Sequence, residues 1–387
     1  MNILDRPYSK IWNTALALGD KWFSNERAMA RPLRIHLEVT DFCNLKCPHC
    51  PRENPDIPKN TGHLPIEMVR KLEPWFRSAA YVGLAGNGES FLHPNIVEIL
   101  QIITRAGAAP CLTTNATLWK KLDVFDKIVG MGPMILVTSI DGGTKATFEK
   151  WRKNADFESV RENLRLMKAA KERAGTHVPM INFLVCLMKD NIGEVEQIVD
   201  MGAEAGASVI SFQNMYPYNK AMDDERVKDM EQCREAITKA RARANQYGIR
   251  IDWLPMSVDI DDRLETEGGS YGHFTAENAE KNLHKAAAST SNGGPRRLHC
   301  DNVMQQVHIT VSGDIKFCCF WTEGAVGNLG TMDLGEAWNG NEWRQLRRDL
   351  KSGEKPKSCV NCHNLVVHDK TAIWKGSKKD IKDLWYR

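Results

Sequence analysis

The chain has 387 residues, which at roughly 150 per domain allows two or three domains and a substantial core. Its 52 Lys and Arg against 49 Asp and Glu leave a formal charge of +3, too little over this length for a nucleic-acid footprint. Apolar stretches before residue 30 are interrupted by Asp5, Arg6, Lys10, Asp20 and Lys21, which excludes a signal peptide or a membrane span there. Eleven cysteines without a secretory signal favour metal ligation over disulfides in a cytoplasmic protein.

A short helical extension (1–30) is followed, between 34 and 255, by apolar runs that alternate with helical patterns. That alternation predicts an α/β fold with a parallel, partial (β/α)6 barrel over 31–256. Strands are expected at 34–40, 81–85, 110–114, 135–140, 181–187 and 209–212. Leu64-Pro65-Ile66-Glu67 opens a helix with proline near its first turn, and 191–206 carries helical spacing up to Gly206. A seventh apolar run, 249–254, follows a long polar helix (223–247) and either extends the barrel or leads out of it. The Gly/Ser/Ala/Asn-rich stretch within 257–299 reads as a linker or an active-site lid. Residues 300–387 form a small α+β domain, and the basic run Lys375, Lys378, Lys379 and Lys382 reads as a solvated helix face.

Just after the first strand, Cys43, Cys47 and Cys50 stand at C-x3-C-x2-C spacing. Three thiolates hold three irons of a 4Fe-4S cluster and leave the fourth iron open for chemistry. A structural zinc site wants four ligands, commonly as two pairs, and no second pair lies close by. The run resembles the cysteine motif of the radical S-adenosylmethionine (SAM) enzymes. That resemblance implies that SAM chelates the open iron and that reduction, by an external one-electron donor such as flavodoxin or ferredoxin, cleaves it. The resulting 5'-deoxyadenosyl radical removes hydrogen from substrate.

The strand ends continue the resemblance in order. Gly86-Asn87-Gly88-Glu89 matches the stretch beside the methionine amino group of SAM. Ser139 and Asp141 fall where ribose hydroxyls lie, Arg152 is the candidate partner of the SAM carboxylate, and Asn115 is a further polar candidate. The segment 206–213, with Phe212 and Gln213, resembles the border of adenine; His49 takes the usually aromatic place between the second and third cysteines. Singly, each is as common in a turn, a strand end or a surface charge. Together, at successive strand ends, they support the family.

A second constellation is C-terminal: Cys300, then Gly313, Cys318, and after a gap Cys359 and Cys362. Four thiols complete one further cluster or a zinc ribbon. The pattern is similar to the auxiliary-cluster domains called SPASM and twitch. No cysteine follows Cys362, and His368 stands where the next would fall, so one auxiliary 4Fe-4S cluster is expected. Cys111 and Cys186 read as core, Cys233 as neutral on a polar helix surface, and Cys319 as an unligated thiol.

Pairing a radical source with an electron acceptor suits oxidation of an unactivated C–H bond. Resemblance to twitch dehydrogenases implies an oxidoreductase acting on a carbinol of a sugar-like or aminocyclitol substrate, with the auxiliary cluster accepting the electron. A small polar substrate is favoured over a peptide, because a leader-peptide-binding domain does not fit in the 30 residues before the barrel. Epimerisation, peptide maturation, and a non-catalytic electron-transfer or scaffold role are the alternatives.

Overall fold

A computed structural model describes residues 10–55, 57, 59–215, 220–254, 297–319, 321, 323–359 and 365–367. Seven parallel strands follow in spatial and chain order: β1 (Arg34–Leu37), β2 (Tyr81–Leu84), β3 (Ala109–Thr114), β4 (Ile135–Ser139), β5 (Met180–Leu187), β6 (Ala207–Asn214) and β7 (Arg250–Leu254). All six expected strands are present, and the seventh run extends the sheet by pairing with β6. The fold is α/β, with the expected parallel, partial barrel.

Alternation along each strand separates two faces. Ile35, Leu37, Val82, Leu84, Leu112, Leu136, Phe183, Ile210 and Phe212 point outward and join the main core beneath the helices. The other face carries Arg34, His36, Cys111, Thr113, Asn182 and Ser211, all half-buried, and lines the inside of the barrel. Helix Val195–Ala205 stops at Gly206, whose φ of 66° is the left-handed conformation that glycine adopts without strain. The long helix expected over 223–247 is shorter. A 3-10 segment (Lys220–Glu225) precedes helix Met230–Asn245, because the Asp229 carboxylate caps it by accepting from the backbone N–H of Glu231 and Gln232.

The C-terminal segment, expected as a small α+β domain, adds strands to the barrel's own sheet. It contributes β8 (Leu298–Cys300), β9 (Gln306–Ile309), β10 (Asp314–Lys316), β11 (Gly327–Asn328) and β12 (Leu365–Val367). β9 lies parallel to β1 with Arg34 opposite Gln306 and His36 opposite His308, while β10 and β11 follow antiparallel, so one ten-stranded sheet runs from β11 to β7. The physical reason is that β1 would otherwise present an unpaired edge, and Gln-Val-His-Ile alternates in the same phase as Arg-Ile-His-Leu.

Of two buried tryptophans, Trp338 fastens this segment to the chain's beginning and Trp343 braces the segment internally. Trp338 Nε1 donates to Ala30 O (2.8 Å), and Trp343 Nε1 donates to Val303 O (3.0 Å). The guanidinium of Arg347 lies 4.5 Å from the Trp338 ring centroid and donates to the carbonyls of Glu26 and Trp338. The reading of 257–299 as a lid falls almost wholly outside the described residues, as do Cys362 and His368. Among the described residues no helix is long and apolar enough to cross a membrane.

Candidate active site

The loop after β1 carries the first three cysteines. Asp41 fixes its rim: its carboxylate accepts from Thr61 N and Oγ1 (both 2.7 Å) and from Gly62 N (3.1 Å). Lys46 N donates to Lys153 O and Cys50 N to Cys47 O, so the loop is tied both to itself and to the turn after Arg152. Cys47 is buried, and Cys43 and Cys50 are half-buried. Burial pushes the Cys47 thiol up to about 11, against the pull of Arg152, whose Nη1 lies 3.9 Å from its Sγ. Among the described residues no three His, Cys, Asp or Glu gather closely enough to share one metal ion.

Arg152, Asp141 and His49 form one largely buried unit that the sequence did not announce. Arg152 Nη2 pairs with Asp141 Oδ2 at 2.5 Å, and His49 Nε2 reaches the same oxygen at 3.1 Å. Asp141 Oδ1 accepts from Cys186 N (2.8 Å). Burial alone would raise this carboxyl, but Arg152 and then His49 outweigh it and hold it at about 2. Asp141 is thus not open toward ribose hydroxyls, because both its oxygens are taken inside the protein. Arg152 is occupied by Asp141 and faces the thiols, and the His49 ring sits edge-on to Trp151 (6.0 Å). The Nε of Arg152 and Nδ1 of His49 remain buried without a hydrogen-bond partner. The orphaned Arg152 N–H, on a guanidinium that also reaches the Cys47 thiol, is a fit for an anionic iron-sulfur cluster and a bound carboxylate.

The 86–89 loop leans on the cysteine loop. A Cβ on Gly88 would lie 2.3 Å from Thr40 O and 2.7 Å from Phe42 O, so glycine there serves a backbone-to-backbone approach. Gly86 is exposed, and its missing side chain makes room for Glu38. Glu89 turns inward: Oε1 accepts from Thr114 Oγ1 (2.8 Å) and Phe91 N (3.2 Å), and Oε2 from Asn115 N (2.7 Å). Asn115 in turn donates through Nδ2 to Asn44 Oδ1 (3.0 Å), linking the end of β3 to the cysteine loop. Ser139 is buried at the end of β4, whereas Phe212 is wholly buried in the outward core and cannot border adenine. Gln213, of opposite parity, is half-buried on the inner face.

Sequence reasoning missed the inner-face group at β1 and β9. His308 Nε2 pairs with Glu38 Oε1 at 3.3 Å, and His36 packs where Gly83 has no side chain. Burial, with His308 and Arg34 nearby, lowers His36 to about 3. The available signal was the period-2 run Arg34, His36, Glu38.

At the second cysteine set, β12 pairs with β8 so that Leu365 faces Cys300, which brings the chain just past Cys362 back to the first thiol. Ser358 N donates to Glu323 Oε1 (2.7 Å), tying the approach to Cys359 to the stretch after Cys318. Cys300 is buried, Cys318 and Cys359 are half-buried and Cys319 is exposed. Cys233, expected on a neutral surface, is fully buried: Asn214 Nδ2 lies 3.6 Å from its Sγ, and burial raises the thiol to about 11. The physical reason is that helix Met230–Asn245 turns Cys233, Ala236, Ile237 and Ala240 toward the sheet.

Comparison with known proteins finds matches over both cysteine-bearing segments. The sequence model of the radical SAM superfamily matches residues 37–202, and that of SPASM, an iron-sulfur cluster-binding domain, matches 300–363. The antilisterial bacteriocin subtilosin biosynthesis protein AlbA of Bacillus subtilis is 25% identical over 60% of this chain, which spans 50% of AlbA. The AdoMet-dependent heme synthase of Methanosarcina barkeri is 26% identical over 86% of this chain and 91% of its own. A mycofactocin maturase and a PqqA peptide cyclase are also similar. Among solved structures, Streptococcus suis SuiB superposes with a TM-score of 0.60 at 15% identity, covering 86% of this chain and 72% of SuiB.

Proposed function

Because this chain belongs to the radical SAM superfamily and carries an iron-sulfur cluster-binding SPASM domain, we propose that it abstracts hydrogen from an unactivated C–H bond of a peptide. The observation that supports the peptide is the recurrence of peptide-maturing proteins among its relatives. Oxidation of a sugar-like alcohol, expected from the sequence, gains no such support. A small-molecule substrate is the second reading, favoured by the match to nearly the full length of a heme synthase.

When bound, the cluster and SAM supply a 5'-deoxyadenosyl radical, and the chain's own residues do the holding and shielding. Cys43, Cys47 and Cys50 would each ligate one iron. Arg152, kept in place by Asp141, offsets thiolate charge and offers its orphaned Nε to a carboxylate. Glu89 and Asn115 brace the strand ends against the cysteine loop. Cys300, Cys318, Cys359 and Cys362 would hold one auxiliary cluster, able to take the electron left when a substrate radical closes to a double bond or a crosslink.

Anaerobic reconstitution should give about eight irons per chain. Replacing Cys43, Cys47 and Cys50 together should remove about four and abolish 5'-deoxyadenosine formation. Deuterium from labelled peptides, and not from labelled sugars or porphyrins, should enter 5'-deoxyadenosine. Absence of 5'-deoxyadenosine from the reduced wild-type protein would return the chain to an electron-transfer role, and transfer from a small molecule alone would overturn the peptide.

A further inference from the structure

The end of helix Lys10–Phe23 buries a lysine against the residue that follows the first C-terminal thiol. Lys21, 1% exposed, places Nζ 2.8 Å from Asp301 Oδ1, and His299 Nε2 lies 2.7 Å from the same oxygen. Asp301 is joined directly to Cys300, itself 6% exposed, and opens the short helix that leads into β9. The neighbouring Asp20 is wholly buried and accepts from Met29 N (3.1 Å) and Ala30 N (2.9 Å), so the backbone that carries Lys21 is locked. A lysine is seldom buried this far without a partner that holds it. A docking contact could have been made with apolar groups, which avoid the desolvation of an ion pair. Here the cation instead neutralises the carboxylate next to a thiol.

We infer that Lys21 is a positioning residue of the auxiliary cluster: by neutralising Asp301 beside Cys300, it keeps that cluster's reduction potential high enough to accept an electron. The inference rests on the cluster assignment above and not on the identity of the substrate. Its physical basis is that negative charge near a cluster opposes the arrival of an electron, and Lys21 offsets such a charge on a carboxylate whose side chain is 43% exposed.

The test is an anaerobic redox titration of the reconstituted full-length enzyme, following the electron paramagnetic resonance of each reduced cluster. Lys21→Met should lower the auxiliary potential, so that at the wild-type midpoint its reduced-to-oxidised ratio falls by roughly tenfold or more. The signal of the Cys43–Cys47–Cys50 cluster should stay in place. Adding Asp301→Asn to Lys21→Met removes the carboxylate charge that Lys21 offsets alongside His299 and should bring the potential back, although the ion pair is still missing. Lys21→Arg should leave it unchanged. An unmoved potential in Lys21→Met, at wild-type iron content, overturns the inference. If Lys21→Met loses iron, the double variant decides. Recovery of both iron and potential supports the electrostatic role, whereas continued loss makes the pair a packing contact only. If wild type binds about four irons and one zinc, it is the cluster assignment that has failed.

Discussion

Replacing Asp141 with asparagine tests whether the buried carboxylate is the hub of the radical site. Asparagine keeps an oxygen for Cys186 N but leaves the Arg152 guanidinium buried with no counter-charge. The carboxyl is displaced from 3.8 to about 2 although burial alone would raise it; at 1.36 kcal/mol per unit, its partners favour the charged form by about 2 kcal/mol net. Stranding one member of a buried pair typically costs about 3–5 kcal/mol, so a loss of about 3 kcal/mol is expected for Asp141→Asn. Urea unfolding followed by circular dichroism measures it, with Arg152→Met and the double variant closing a cycle. The double variant should be more stable than Asp141→Asn alone, because the stranded charge is gone. A single-variant loss under about 1 kcal/mol, or a coupling near zero, would refute the hub, since a group of such burial and pairing cannot be removed at surface cost.

Gly88→Ala should retain iron but weaken SAM binding at least roughly tenfold, read by equilibrium dialysis, because its Cβ meets the carbonyls of Thr40 and Phe42 at 2.3 and 2.7 Å and the loop must move. His36, lowered from 6.5 to about 3, binds its proton more readily in the unfolded chain. Its contribution to stability should be full above pH 6.5 and fade as pH falls toward 3, and His36→Gln should flatten that part of the pH–stability curve. In the native protein iodoacetamide should label Cys319 well before Cys233, whose thiol is buried and raised to about 11; equal rates by mass spectrometry would contradict the burial. Replacing Cys359 and Cys362 together should preserve 5'-deoxyadenosine formation while blocking oxidised product. Wild-type product formation in the folded variant would deny the auxiliary set its acceptor role.

The barrel and the cysteines were legible because each leaves a local signal. Strands such as Ile-Leu-Val-Thr-Ser are apolar runs between turns, and three thiols within eight residues constrain the chemistry whatever the fold. Side-chain pairing was not legible. Asp141 and Arg152 are eleven positions apart, and each alone suits a polar ligand; only the turn between β4 and the helix after it decides that they satisfy each other. Phe212 was misread because one residue of register separates the outward core from the inner face. The pairing of β9 with β1 joins residues about 270 apart, a non-local contact that no spacing announces.

That pairing has a consequence for how the two cysteine sets face one another. Cys43, Cys47 and Cys50 follow the C-terminal end of β1. On the other side, Gln305 O accepts from Leu33 N at the N-terminal end of β1, and Cys300 lies five residues earlier. β10 runs antiparallel to β9, with Lys316 opposite His308, so the chain reaches Cys318 while heading toward that same N-terminal end. The two sets therefore approach β1 and β9 from opposite ends, separated by a strand of four residues, roughly 13 Å, plus their loops. Between them on the inner face lies the row of His36, His308 and Lys316, with Glu38 above it. If both sets hold clusters as proposed, this approach from opposite ends keeps the radical source apart from the acceptor.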